Sequence, residues 1–226
     1  DEINSLLRDR FNNIWLGSIG GGVLMIDTKQ SPFAFYSLNL AEDDVPTTAV
    51  RALFADADKD LWLGTGSYGL ARKDYETGVL SFFSHIPEFS DIPGVPTVNY
   101  IIQRKNGEVW FATYDGGILI YEKGEKVKVL TESDTPYLYS DCVSALCEDS
   151  KGNCWVGCRG GMGISLADGG HYRFGTLSFA GGGLADWYHV KDIVEDADGS
   201  FWIATANYGI IHIMGDVQHP ETLKYS

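Results

Sequence analysis

Apolar and polar positions alternate along this chain in short runs. INSLLR at 3–8, IWLGS at 14–18, VLMI at 23–26 and FAFY at 33–36 follow one another, and the order then recurs. First-run copies include VRALF at 50–54 and VKDIV at 190–194; third-run copies include ILIY at 118–121 and IIHI at 210–213. Fourth-run copies are LSFF at 80–83, VKV at 127–129, YRF at 172–174 and LKY at 223–225. A period of two with β-branched and aromatic enrichment predicts strands, and no segment of ~10 residues holds a helical stripe.

Tryptophan sets the longer period. Trp15, Trp62, Trp110, Trp155 and Trp202 stand 47, 48, 45 and 47 residues apart. Six positions before each are Asp9, Asp56, Arg104, Asp149 and Asp196; three before are Asn12, Lys59, Gly107, Gly152 and Gly199. Two after are Gly17, Gly64, Ala112, Gly157 and Ala204, and a glycine recurs near seven after: Gly22, Gly69, Gly117, Gly163 (one residue late) and Gly209. The D-x-x-G phrase predicts a turn in which the Asp carboxylate accepts a backbone N–H two residues on. Its last position wants a positive φ, which Gly takes freely and Asn tolerates, so Lys59 is expected to carry mild strain or a different turn. The small residue two after Trp shares its face, where bulk would crowd a neighbouring sheet.

Four antiparallel strands repeated every ~47 residues, apolar on both faces, predict the blade of a β-propeller. A sheet greasy on both sides needs cover on both sides, and radial stacking supplies it, whereas a two-layer sandwich leaves one face of each sheet in water. The expected fold class is therefore all-β: a β-propeller with five four-stranded blades, either a closed five-blade ring or a fragment of a seven-bladed propeller. The units run about 1–37, 48–83, 96–129, 141–174 and 188–226, in one domain or fragment.

Composition narrows the function classes. Of 226 residues, 44% are hydrophobic and 21% charged, which suffices for a core. The formal charge of −14 disfavours contact with phosphate backbones, so no nucleic-acid partner is expected. No apolar run reaches the ~18 residues of a membrane helix, so this segment is expected to make no membrane contact. The chain opens Asp1-Glu2-Ile3 without a signal sequence and reads as a mature piece or a cut segment.

The phrase D-x-x-G-x-[LIV]-W-[LIFV]-[GA]-T followed by G-[GL] resembles the two-component regulator propeller repeat, and the resemblance runs through all five units. It implies the periplasmic sensor region of a hybrid two-component histidine kinase of Bacteroides-type bacteria, non-catalytic by itself and often responsive to oligosaccharides. Family propellers usually have seven blades and are followed by an immunoglobulin-like domain and a kinase; five units are present here, and the fourth carries Cys158 in place of Thr. The implied partners are an oligosaccharide or other small polar ligand, another propeller or immunoglobulin-like domain of the parent chain, and a second protomer in a homodimer.

Other chemistry weighs less. GTGSYG at 64–69 matches G-x-G-x-x-G but continues as a strand, so it reads as a turn. Asp56, Asp58 and Asp60 resemble the start of a calcium loop, but Leu61 and Ser67 stand where Gly and Glu are needed. Cys142, Cys147, Cys154 and Cys158 lack the C-x2-C spacing of zinc sites; Cys147 and Cys154 occupy core positions of the repeat, and Cys142 and Cys158 fall near one hairpin edge. A disulfide there is one alternative and free thiols the other. No metal and no cofactor is expected, and no catalytic residue is assigned. His212 sits in an apolar strand and reads as structural.

The links between units, about 38–48, 84–97, 130–141 and 175–189, are long and individual. In propellers they emerge with the second turns on the face where ligands bind. The turns carry Ser67, Tyr68, Tyr114, Asp115, Arg159, Asn207 and Tyr208; the links carry Tyr137, Tyr139, Trp187, Tyr188 and His189. The expected ligand-binding set is Tyr68, Tyr114, Asp115, Arg159, Asn207, Tyr208, Trp187, Tyr188 and His189, because rings stack on sugar C–H faces while polar groups meet hydroxyls. The alternative is that these rings pack their own loops or a neighbouring domain. Arg51, Asn99 and Lys191 form a second set facing a central channel. Two other functions stay open: a propeller polysaccharide lyase or glycoside hydrolase, and a structural interaction scaffold.

Overall fold

The computed structural model describes residues 2–19, 22–26, 34–36, 49–66, 68–174, 177–178, 184–185, 189–206, 208–216 and 224–225. Among the described residues, five four-stranded antiparallel sheets follow in chain order. The first holds β1 (Ile3–Arg8), β2 (Ile14–Ser18), β3 (Gly22–Ile26) and β4 (Ala34–Tyr36). The second holds β5 (Val50–Ala55), β6 (Leu61–Thr65), β7 (Leu70–Lys73) and β8 (Leu80–Phe82). The third holds β9 (Val98–Gln103), β10 (Val109–Thr113), β11 (Ile118–Tyr121) and β12 (Lys128–Leu130). The fourth holds β13 (Val143–Glu148), β14 (Cys154–Cys158), β15 (Gly161–Ser165) and β16 (His171–Phe174). After a two-stranded hairpin, β17 (Leu177–Ser178) with β18 (Leu184–Ala185), the fifth holds β19 (Val190–Glu195), β20 (Phe201–Thr205), β21 (Ile210–Met214) and β22 (Lys224–Tyr225). Each sheet is a simple meander, with every strand beside its sequence neighbours.

The chain forms two compact units, Asp1–Gln103 with Gly107–Phe111 and Tyr121–Val127, and Arg104–Asn106 with Ala112–Ile120 and Lys128–Ser226. Within the first, Trp15 of β2 packs against Leu61 and Leu63, which flank the tryptophan of β6. Within the second, Trp155 of β14 is fully buried, its ring 3.9 Å from that of Phe201 in β20, beside Ile203. In both pairs the tryptophan rests on the two residues that bracket the next blade's tryptophan. The small residue after it is required for the same approach. A Cβ at Gly157 would stand 2.4 Å from Val190 Cγ1, and one at Gly64 2.8 Å from Val98 Cγ1.

The repeated Asp does more than close its turn. Asp149 Oδ1 accepts from Lys151 N at 3.0 Å, as the D-x-x-G reading expects, and from Asn153 N at 2.8 Å. Its Oδ2 accepts from the Trp155 indole at 3.0 Å and from Asn153 Nδ2 at 2.8 Å. Indole-to-Asp bonds recur at Trp15–Asp9, Trp62–Asp56 and Trp202–Asp196, at 3.0, 2.8 and 2.9 Å. The third blade has Arg104 at that position, and there Glu108 accepts from the Trp110 indole at 2.9 Å. A buried indole N–H needs an acceptor, and the blade finds one from whichever neighbour can reach.

Lys59 and Asn12 adopt φ of 76° and 75° where Gly107, Gly152 and Gly199 stand in other blades, which confirms the strain expected at Lys59. One alignment is corrected. Gly163 is not the turn glycine of the fourth blade. Cys158 pairs with Gly161, so the turn is the two-residue Arg159-Gly160, and Gly163 lies inside β15 opposite Val156. A Cβ at Gly163 would stand 1.7 Å from Tyr137 O, so close backbone approach explains that glycine.

Candidate functional site

The first strand of four blades carries a β-bulge at the same place, between Ile3 and Ser5, Val50 and Ala52, Val143 and Ala145, and Val190 and Asp192. The extra residues are Asn4, Arg51, Ser144 and Lys191. A bulge re-aims its side chain and ends regular pairing, which frees the residues just before it to meet a neighbouring turn. A matching backbone tie fixes that meeting. Ile19 N, Gly66 N, Arg159 N and Ala206 N donate to Glu2 O, Ala49 O, Cys142 O and His189 O, each at 2.9 Å. Second turn and incoming link are thereby held together in every one of these blades.

In the second compact unit this frame gathers a polar cluster. Arg159 is exposed and forms an isolated antiparallel bridge with His189. Ser140 Oγ donates to Arg159 O at 3.0 Å. Burial presses the His189 pKa below its ordinary value, and the charges of Lys191 and Arg159 add to this. The imidazole is therefore neutral at neutral pH, and among the described residues its buried Nε2 has no hydrogen-bond partner. Burial and the Asp115 charge raise the Cys142 thiol, against the opposing pull of Arg159 and Lys191. Arg159, Lys191, Asp115 and His189 thus share one electrostatic neighbourhood, with Tyr114 exposed on the same turn as Asp115.

The expected ligand set divides. Arg159 and His189 meet through their backbone bridge, and the Cys142 thiol feels the charges of Asp115, Arg159 and Lys191, the last from the channel set. Tyr68 stands apart: its ring meets Phe82 edge-on at 5.8 Å and packs on the core of its own blade, so here the loop-packing alternative holds. Tyr208 is 44% exposed, with its N–H on Thr205 Oγ1 at 3.0 Å. Trp187, Tyr188, Asn207 and Ser67 lie outside the described residues. Sequence reading missed Ser140; its position just ahead of β13, where the link meets the turn, was the available signal.

The remaining polar motifs have structural employment. Asp58 pairs with Lys123 at 3.0 Å, and Asp60 accepts from Tyr75 N at 2.9 Å. His212 stacks on Trp202 at 3.9 Å and bonds the Ser200 hydroxyl at 2.9 Å. All four cysteines are free thiols, and burial pushes Cys147 up to about 11 and Cys154 up to about 12.

Residues 140–160 match the model of the two component regulator propeller family. No curated protein matches the chain. Among solved structures, the extracellular domain of a protein described as a hybrid two component system of B. thetaiotaomicron is similar at 17% identity and a TM-score of 0.57, over 100% of this chain and 29% of that one. The secretion-system surface component PorZ of Porphyromonas gingivalis is similar at 20% identity and a TM-score of 0.65, over 94% and 32%. Virginiamycin B lyase of Staphylococcus aureus is similar at 14% identity and a TM-score of 0.70, over 99% and 69%. The chain spans less than a third of the length of that two-component receptor domain. It is a β-propeller chain of four-stranded blades that carries the two component regulator propeller repeat at residues 140–160.

Proposed function

We propose that this chain is the ligand-sensing propeller of an extracytoplasmic, periplasmic receptor that signals through a two-component system, and that it binds an oligosaccharide without transforming it. One observation carries the reading. The segment that matches the family model is the segment that delivers Ser140, Cys142 and Arg159 to the polar cluster. A guanidinium and an ammonium beside a carboxylate and a neutral imidazole offer both donors and acceptors to sugar hydroxyls, and Tyr114 offers a ring face. The fold similarity to extracellular receptor domains supports the placement outside the inner membrane. The test is calorimetric titration of an oligosaccharide panel, with reaction products followed by mass spectrometry. A hit should weaken at least tenfold, about 1.4 kcal/mol, in Arg159→Ala, and the sugar should be recovered intact. Absence of any hit, or a hit indifferent to Arg159, would refute the proposal.

The neutral, unpartnered His189 Nε2 favours a second reading, a lyase or hydrolase with His189 as general base. Its mark would be product formation that vanishes in His189→Ala.

A further inference from the structure

At the other ends of the strands, the first unit carries a cavity of about 210 Å³ among the turns 9–13, 56–60 and 74–78. That is below the ~300–1,000 Å³ of drug-sized sites and suits a single ring. Phe11 and Tyr75 line it with rings parallel to within 1° and centroids 5.4 Å apart. Both rings are well exposed, at 37% and 45%. Lys59 Nζ stands 4.8 Å from the Tyr75 centroid and 5.6 Å from that of Phe11. Lys73, over the Trp15 ring at 5.4 Å, and Arg10 complete the positive lining.

These residues break the repeat. Where Phe11 stands, four positions before the tryptophan, the other blades have Asp58, Asn106, Lys151 and Asp198. Where Tyr75 stands, two after the residue paired with the pre-tryptophan position, the fourth and fifth blades have Ala167 and Gly215. Lys59 holds a left-handed backbone conformation that glycine would hold without strain. Turn formation alone therefore explains none of the three. Charge points the same way. Three cations face two carboxylates, in a chain of net charge −14. The carboxylates are occupied: Asp9 accepts from Phe11 N, Asn13 N, Asn13 Nδ2 and the Trp15 indole, and Asp74 from the Thr77 N–H and hydroxyl. Among the described residues Lys59 forms no ion pair, and Arg10 donates only to the Asp56 and Ala57 carbonyls, at 3.0 and 3.1 Å.

We infer that this cavity is a second binding site, for a carboxylate-bearing saccharide ring. The Phe11 and Tyr75 faces take the sugar C–H surface, and Lys59 with Arg10 takes the carboxylate. The site is separate from the turn-and-link cluster and stands or falls independently of it.

Calorimetric titration with digalacturonate and with neutral galactobiose tests the site. Digalacturonate should bind at least tenfold more tightly, with the advantage shrinking as salt rises. Lys59→Gly should cost tenfold or more in digalacturonate affinity while the melting temperature stays level or rises, because glycine relieves the backbone. Tyr75→Ala should weaken binding as well. Equal affinity for the two sugars, no binding of digalacturonate at millimolar concentration, or full binding by Lys59→Gly would overturn the site. A fall in melting temperature in Lys59→Gly would make the lysine a strut between turns and would also overturn it.

Discussion

Replacing Asp149 with alanine removes one carboxylate and four hydrogen bonds at once. Three of the stranded donors, Asn153 N, Asn153 Nδ2 and Trp155 Nε1, belong to residues that are 1% and 0% exposed. An orphaned buried donor costs about 1–3 kcal/mol. Lys151 N lies at the turn and can turn to water, and some water can enter the vacated space, so the sum is roughly 4 kcal/mol. That is a large share of the ~5–15 kcal/mol that holds a typical domain together. Guanidinium unfolding followed by tryptophan fluorescence should show the midpoint fall with little change in slope. Asp196→Ala is the internal control: it makes the same indole bond, but at an exposed Trp202, so its loss should be clearly smaller. A loss below about 1.5 kcal/mol for Asp149→Ala, or equal losses for the two variants, would refute the idea that the buried indole acceptor holds the blade.

Two further outcomes follow from packing and titration. Gly163→Ala should destabilise by about 3 kcal/mol, because its Cβ meets the Tyr137 carbonyl, whereas Gly78→Ala, with open space but φ of +70°, should cost only about 1 kcal/mol; denaturant melts of the pair would show it. His189 has a folded pKa below its ordinary 6.5, so the unfolded chain takes up its proton first as pH falls. Its contribution to stability is present above pH 6.5 and is lost on descent toward the folded value. Melting temperatures between pH 7 and 5 should therefore fall less steeply in His189→Gln, and an unchanged slope would count against the assignment.

Much of the fold is legible in the letters because tryptophan, the small residue after it and the turn Asp each answer a local demand that repeats. Gly17, Gly64 and Gly157 are small because a valine of the next blade arrives there, and that constraint shows as a pattern. The third blade shows where letters fall short: Arg104 breaks the Asp column, yet the indole is still bonded, by Glu108. Gly163 misled the alignment because the fourth blade's second turn is shorter, and only strand register reveals it. The candidate site is legible as residue types only: Arg159 reads as a polar turn residue and His189 as a link residue, but nothing in the sequence brings a residue of one blade's turn against the next blade's link. Tyr68 shows the converse, an aromatic in a turn whose ring serves its own sheet. The Phe11–Tyr75–Lys59 cavity has a fainter signal, turn positions where an aromatic replaces a polar or small residue.

The Glu108 substitution for the usual aspartate has a practical consequence for counting blades. What each unit retains is an anion within reach of an indole, and the residue supplying it can migrate along the hairpin by several places. A search that scores letters in fixed columns will penalise such a unit for the arginine in the aspartate column and give no credit to the glutamate four residues on. Propellers of this kind will then look shorter on paper than they are in space, and a tally that follows the tryptophan and asks which carboxylate can touch it will recover the units that column matching drops.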